Sequence, residues 1–258
     1  MLKKQKKLNN LSSAFTLIEL LVVIIIIGII VATLSFDFSP NRLQLAADQL
    51  IKDIHFTQSL ALKDDKYQPF PKSTSAADQN QSKYWFKQWW QIRFTQNTST
   101  NRHWWYEIFT DLPYYNGRNF DRTAHYPDNP ESNWYRSIAL DPLTNKLLIG
   151  NCGVAHYPDC NLTETSLDLT KKYGIVEIEF DNFDSYTKRL LFDNEGNVFL
   201  SEGEAGDSND INPINNRGIL TQTAKIKLCL DNPCINAIER CIQINITPSG
   251  AVFQSRCQ

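Results

Sequence analysis

Histidine and glycine are scarce, four and ten residues in a chain of 258. No HExxH zinc-protease pattern and no glycine-rich phosphate loop can be found. A G-x-S-x-G nucleophile elbow is absent too, so no enzyme signature emerges and nothing calls for a cofactor. Positive charge is also in deficit: 26 Lys and Arg against 28 Asp and Glu leave a net −2. That balance argues against broad attraction to nucleic acid or anionic lipid. Cysteine is missing before residue 152, and long apolar runs are missing after residue 34.

The one long apolar run is 14–34, AFTLIELLVVIIIIGIIVATL, interrupted by a single acid, Glu19. A membrane-spanning helix needs roughly 20 such residues to cross a hydrocarbon core about 30 Å thick. An ionised carboxylate there is costly and calls for a partner. The leader, MLKKQKKLNNLSSA, carries Lys3, Lys4, Lys6 and Lys7 and no acid. The positive-inside rule puts it in the cytoplasm and the rest of the chain outside. A secretory signal would have a shorter apolar run, no acid within it and a small-residue cleavage site after it. An ordinary anchor would explain the length but not Glu19.

The string Ala14-Phe15-Thr16-Leu17-Ile18-Glu19-Leu20-Leu21 resembles the processing and methylation signature of type IV pilins and type II secretion pseudopilins. The resemblance implies a prepilin peptidase cut between Ala14 and Phe15 and N-methylation of the new Phe15 amine. Ala14 stands where the family usually has Gly. Cleavage creates a cation one helical turn from Glu19, which would pair with it or with the amine of a neighbouring subunit. Only the second pairing favours lateral assembly, the role the family assigns to this acid. The implied organisation is a leader at 1–14, a transmembrane segment at 15–36 and a periplasmic or extracellular head at 37–258. The implied partners are other major and minor pilin or pseudopilin subunits, the prepilin peptidase and the inner-membrane assembly platform.

About 218 residues beyond the anchor suffice for one well-buried domain. Without the leader lysines, 22 basic residues face 28 acidic ones. All six cysteines lie in this part, where disulfides are expected. Six cysteines allow fifteen pairings. One can be argued: a hairpin turning at Pro248-Ser249-Gly250, with Thr247 opposite Ala251, sets Cys241 opposite Cys257. Cys152–Cys160 and Cys229–Cys234 then follow as short loops. A zinc site from the last four cysteines competes, but C-x4-C-x6-C-x15-C matches no common zinc knuckle.

Ser39-Pro40 reads as an N-cap and first-turn proline. A helical stripe of Leu43, Ala47, Leu50, Ile54 and Ala61, with Ala46 and Ile51 alongside, then runs to about residue 62. Residues 68–83 are polar and read as a loop. WWQIRF, WWYEIF, the alternations at Val176–Phe180, Ile226–Leu230 and Ile242–Ile246, and LLFDNEGNVFL with its turn at Asn194-Glu195-Gly196 read as strands. The predicted fold is α+β: a long N-terminal helical spine, transmembrane then amphipathic, packed on an antiparallel β-sheet head, as in pilins. The stretch at 41–63 and the closing INITPSGAVF are similar to the FimT/GspH subclass of minor pilins.

Several constellations invite a ligand. Asp207, Asn209 and Asp210 in the acidic 202–212 stretch could serve calcium but lack EF-hand spacing, so a solvated loop is the simpler reading. The repeated Ala-His-Tyr-Pro-Asp at 124–128 and 155–159 could bring His125, His156, Asp128 and Asp159 to a metal, or simply be a recurring turn. Trp85, Trp89, Trp90, Trp104 and Trp105 could stack sugars or bases. Alternatively they form a ladder about Asn97, Trp89 against Trp105 and Trp90 against Trp104. Asp159-Cys160-Asn161-Leu162-Thr163 fits an acidic-prefixed glycosylation sequon.

The expected function is a minor pilin or pseudopilin of a type IV pilus, type II secretion or related filament, held in the bacterial inner membrane. Two alternatives are a DNA-uptake pilin and an adhesive or glycan-binding tip. For DNA, the positions after Gly250 are Ala251, Val252, Phe253 and Gln254, leaving Arg256 with Arg240 on the facing strand. So few cations argue against nucleic acid.

Overall fold

A computed structural model describes residues 16–34, 41–64, 69–75, 78–79, 82, 89–97, 103–110, 112–113, 120–121, 138–153, 158–183, 188–200, 218–236 and 239–257. The chain divides into two units, Met1–Pro40 and Asn41–Gln258. In the first, α1 spans Leu17–Leu34. Among the described residues no helix is long and apolar enough to cross a membrane. With 18 residues, α1 reaches about 27 Å at roughly 1.5 Å per residue, short of the 15–36 span the sequence predicts. Within the stretch predicted as a spine the described helices are α1 and α2, and residues 35–40 lie outside the described set.

The second unit is α+β. Its helix α2, Arg42–Lys63, starts at Asn41, whose Oδ1 accepts from the N–H groups of Leu43 (3.1 Å) and Gln44 (3.4 Å). Asn41 is thus the cap, rather than Ser39. The predicted stripe is buried, and Asp53 and Thr57 are buried with it. In sheet 1 the strand order is β2 (His103–Thr110), β1 (Trp90–Asn97), β6 (Arg189–Phe192), β7 (Val198–Phe199). In sheet 2 it is β10 (Val252–Arg256), β9 (Cys241–Ile246), β8 (Ala224–Cys229), β5 (Glu177–Asp181). A two-stranded ribbon joins β3 (Leu112–Pro113) to β4 (Phe120–Asp121), and the short helix α3 is Leu169–Tyr173. All strand pairs are antiparallel. One core joins Leu43, Leu50 and Ile54 of α2 to Ile92, Tyr106 and Phe192 of sheet 1 and Ile226, Leu228 and Ile244 of sheet 2.

The β1–β2 register corrects the tryptophan ladder. Phe94 faces Tyr106 and Arg93 faces Glu107, so Trp104 lies opposite Gln96 and Trp105 opposite Thr95. Two adjacent tryptophans point to opposite faces and leave the register undetermined. The pairing of apolar partners and of Arg93 with Glu107 decides it, and that ion pair forms with Glu107 buried. Trp104 and Trp105 are both buried. Trp89 stacks on Phe199 at 4.5 Å, and Trp90 Nε1 donates to Asp64 Oδ2 at 2.9 Å.

Part of the loop-rich middle has a structural task. Residues 138–150 lie along the outer margin of β2, through bridges Phe109–Ile138 and Glu107–Ile149. Ile108 N–H donates to Leu148 O at 2.9 Å, and Gly150 N–H donates to Tyr106 O at 3.0 Å. Only glycine fits at 150, because a Cβ there would stand 2.4 Å from Leu167 O. At the other margin, Leu220 N–H donates to Val198 O at 2.8 Å and Leu200 N–H to Gly218 O at 2.7 Å.

Candidate functional site

The first turn of α1 is held by a reciprocal pair. Thr16 donates to Glu19 Oε2 from its backbone N–H (2.8 Å) and its Oγ1 (2.9 Å), while Glu19 N–H donates to Thr16 Oγ1 at 3.3 Å. This is a capping box, and its signal is Thr-x-x-Glu just before an apolar run. Read only for its charge, Glu19 hides that local role. The box fixes the carboxylate against the start of the helix, where the chain enters from residue 15. Ala14 and Phe15 themselves lie outside the described residues.

Side chains from Leu17 to Ile27 are exposed, the apolar ones between 44 % and 82 %. A helix apolar on every side has no stable place in water; it needs lipid or other helices around it. Residues 9–35 match the family model for the prokaryotic N-terminal methylation motif. The N-terminus is a type IV pilin-like prepilin signature. Such a signature marks a structural subunit, processed by prepilin peptidase and assembled with other pilins. No curated protein and no solved structure matches the chain.

In the second unit the most unusual chemistry is a buried acid. Asp53 Oδ2 accepts from Tyr106 Oη at 2.6 Å and from Gln49 Nε2 at 3.0 Å, and Thr57 Oγ1 donates to Asp53 O at 2.7 Å. Burial pushes the Asp53 carboxyl above the ordinary carboxylate range, against its hydrogen bonds. Burial also raises Tyr106, with Asp53 adding to the effect. Tyr173 is pushed up to about 12, by burial first and by Asp53 second. Tyr106 and Asp53 are both buried, and the arrangement is that of a core hydrogen-bond network.

Asp168 caps α3, accepting from Lys171 N–H at 2.9 Å, and its Oδ1 also meets His103 Nε2 at 2.7 Å. Among the described residues no group of three or more His, Cys, Asp or Glu could hold a metal. His125, Asp128, His156, Asp207, Asn209, Asp210 and Trp85 lie outside the described residues.

The structure pairs Cys152 with Cys160, Cys229 with Cys234 and Cys241 with Cys257, at Cα separations of 4.9, 5.4 and 5.9 Å. The β9–β10 register, with Ile246 opposite Val252, sets the last pair across the hairpin. Gly250 closes the turn at φ +81°, in the left-handed region. Arg240 is engaged by Asp231 through both guanidinium edge nitrogens. Their hydrogen bonds lower the Asp231 carboxyl and raise the Arg240 guanidinium. Asn161 is exposed, but Thr163 is buried and its Oγ1 donates to Cys160 O at 3.3 Å. The hydroxyl of that sequon is therefore turned inward.

Proposed function

We propose that the chain is a minor pilin or pseudopilin of the FimT/GspH kind. In this reading the peptidase cuts between Ala14 and Phe15, methylates the Phe15 amine and leaves residues 15–36 in the inner membrane. The head, 37–258, faces the periplasm or exterior. The observation that carries this reading is the methylation motif over 9–35, together with the apolar surface of α1. A helix continued from 15 to 36 would reach about 33 Å at roughly 1.5 Å per residue, enough for a hydrocarbon core of about 30 Å. The four leader lysines favour the cytoplasmic side for residues 1–14.

The capping box then acquires a second meaning. Removal of residues 1–14 leaves an ammonium one residue before Thr16, close to the carboxylate that Thr16 already orients. Glu19 Oε2 serves its own helix, and the carboxylate charge remains to attract the Phe15 amine of the next subunit. That attraction supports lateral, staggered packing of apolar helices in lipid. Engagement of Arg240 by Asp231 subtracts a cation from any DNA surface on the terminal hairpin and favours assembly over uptake.

N-terminal mass spectrometry of protein from its host should find Phe15 first and methylated. Glu19→Val should be inserted and cut normally but missing from sheared filaments. A mature protein beginning at Met1, or Glu19→Val subunits in filaments at the normal level, would refute the reading.

A further inference from the structure

Four of the six cysteines form one contiguous sulfur cluster. Cys229 ends β8 and Cys241 begins β9, directly opposite each other. Each is bonded elsewhere, to Cys234 and Cys257 respectively, yet their own Sγ atoms lie 3.7 Å apart. Both are buried, at 0 % and 2 % exposure, whereas Cys234 and Cys257 are only half-buried. The backbone pattern favours a bond between the two inner sulfurs. Leu230 N–H donates to Arg240 O at 3.0 Å, so the neighbouring pair Cys229–Cys241 is a non-hydrogen-bonded one. In such pairs the side chains approach more closely than in hydrogen-bonded pairs. That approach lies within the Cα range a disulfide tolerates.

We propose that these four cysteines are a disulfide relay, in which the staple of the terminal hairpin can be transferred from β9–β10 to β8–β9. A dithiol reductant attacks the half-buried Cys234 Sγ, forming a mixed disulfide and releasing Cys229 as a thiolate. The Cys229 thiolate attacks Cys241 Sγ, the Cys229–Cys241 bond forms, and the Cys241–Cys257 bond breaks with Cys257 leaving as a thiolate. The second thiol of the reductant then displaces Cys234, which takes a proton, as does Cys257. Two electrons have entered, the reductant has become its disulfide, and the protein has exchanged two bonds for one. The two thiols it gains are the accessible ones. β10, an edge strand, loses the covalent tie at its C-terminal end.

The test uses the full chain in detergent. In Cys234→Ala, Cys229 begins as the only unpaired cysteine. After equilibration, acid quenching, unfolding and maleimide labelling, the label should be found on Cys257, with a Cys229–Cys241 peptide crosslink. Label on Cys229 with Cys241–Cys257 intact would overturn the relay. In the unaltered chain, limiting dithiothreitol followed by the same labelling should give Cys234 and Cys257 labelled together. Joint labelling of Cys229 and Cys234, or of Cys241 and Cys257, would mean that the two disulfides are reduced independently and would equally overturn it.

Discussion

Each of the two long helices carries one acid where its pattern calls for an apolar residue, and the two acids are handled in opposite ways. Glu19 stands at the start of α1, exposed, with donors supplied by Thr16 from three residues earlier. Asp53 stands inside the stripe of α2, buried, with its strongest donor, Tyr106, brought from a different strand. The first acid is satisfied locally and remains available to an outside charge. The second is sealed in the core, where an outside partner cannot reach it. An acid in an apolar helix thus caps its own first turn in one unit and is fixed by a partner from across the core in the other; in the proposed function the first of them would also dock a neighbouring subunit.

Substitutions can break this contrast. The largest expected effect is functional: Glu19→Val eliminates incorporation into filaments while leaving the thermal melting of the head unchanged. Asp53→Ala should do the reverse, destabilising the head by about 2 kcal/mol, since it leaves the buried Tyr106 hydroxyl without its acceptor. Circular dichroism melts of the two variants side by side would show it. Tyr106→Phe removes one of the two donors to Asp53 Oδ2 and should cost about 1.5 kcal/mol in the same melts.

Asp53→Asn probes charge alone. Because the folded-state value of Asp53 lies above its unfolded value, the native head holds this proton longer than the unfolded chain does. Its contribution to stability is complete below the unfolded value and is lost as pH rises through the folded one. Denaturant unfolding from acid toward neutral pH should therefore fall less steeply for Asp53→Asn than for the parent; parallel curves would contradict the burial argument. Smallest of all, Thr16→Val should fray only the first turn of α1, read from backbone chemical shifts at 17–19 in micelles, with later turns intact.

What the sequence disclosed follows the range of the interactions involved. The stripe of Leu43, Ala47, Leu50, Ile54 and Ala61 is written in a helical period and is buried as predicted. The terminal hairpin is set by its own turn, and its register follows. Asp53 and Thr57 escape because a polar residue at a stripe position looks like a break until Tyr106 arrives from across the fold. The tryptophans mislead because adjacent residues on a strand serve two faces, so a doublet matches more than one register. The signal that would have helped is the Arg93–Glu107 charge pair. Residues 138–150 are illegible for another reason: they attach to β2 through isolated bridges and leave no alternating pattern of their own. At the N-terminus every informative contact lies within four residues, and there the motif alone suffices.

Both margins of sheet 1 are already occupied, by Leu148 and Gly150 along β2 and by Gly218 and Leu220 along β7. A crowd of identical chains confined to a plane risks zipping together through bare strand borders into an irreversible fibre. Among the described residues, the backbone groups of Tyr106, Ile108, Val198 and Leu200 at those margins are engaged from within the same molecule, which blunts sheet 1 as such a template. Were such chains crowded in a membrane, as the proposed function has it, the described borders of sheet 1 would resist seeding amyloid-like stacks.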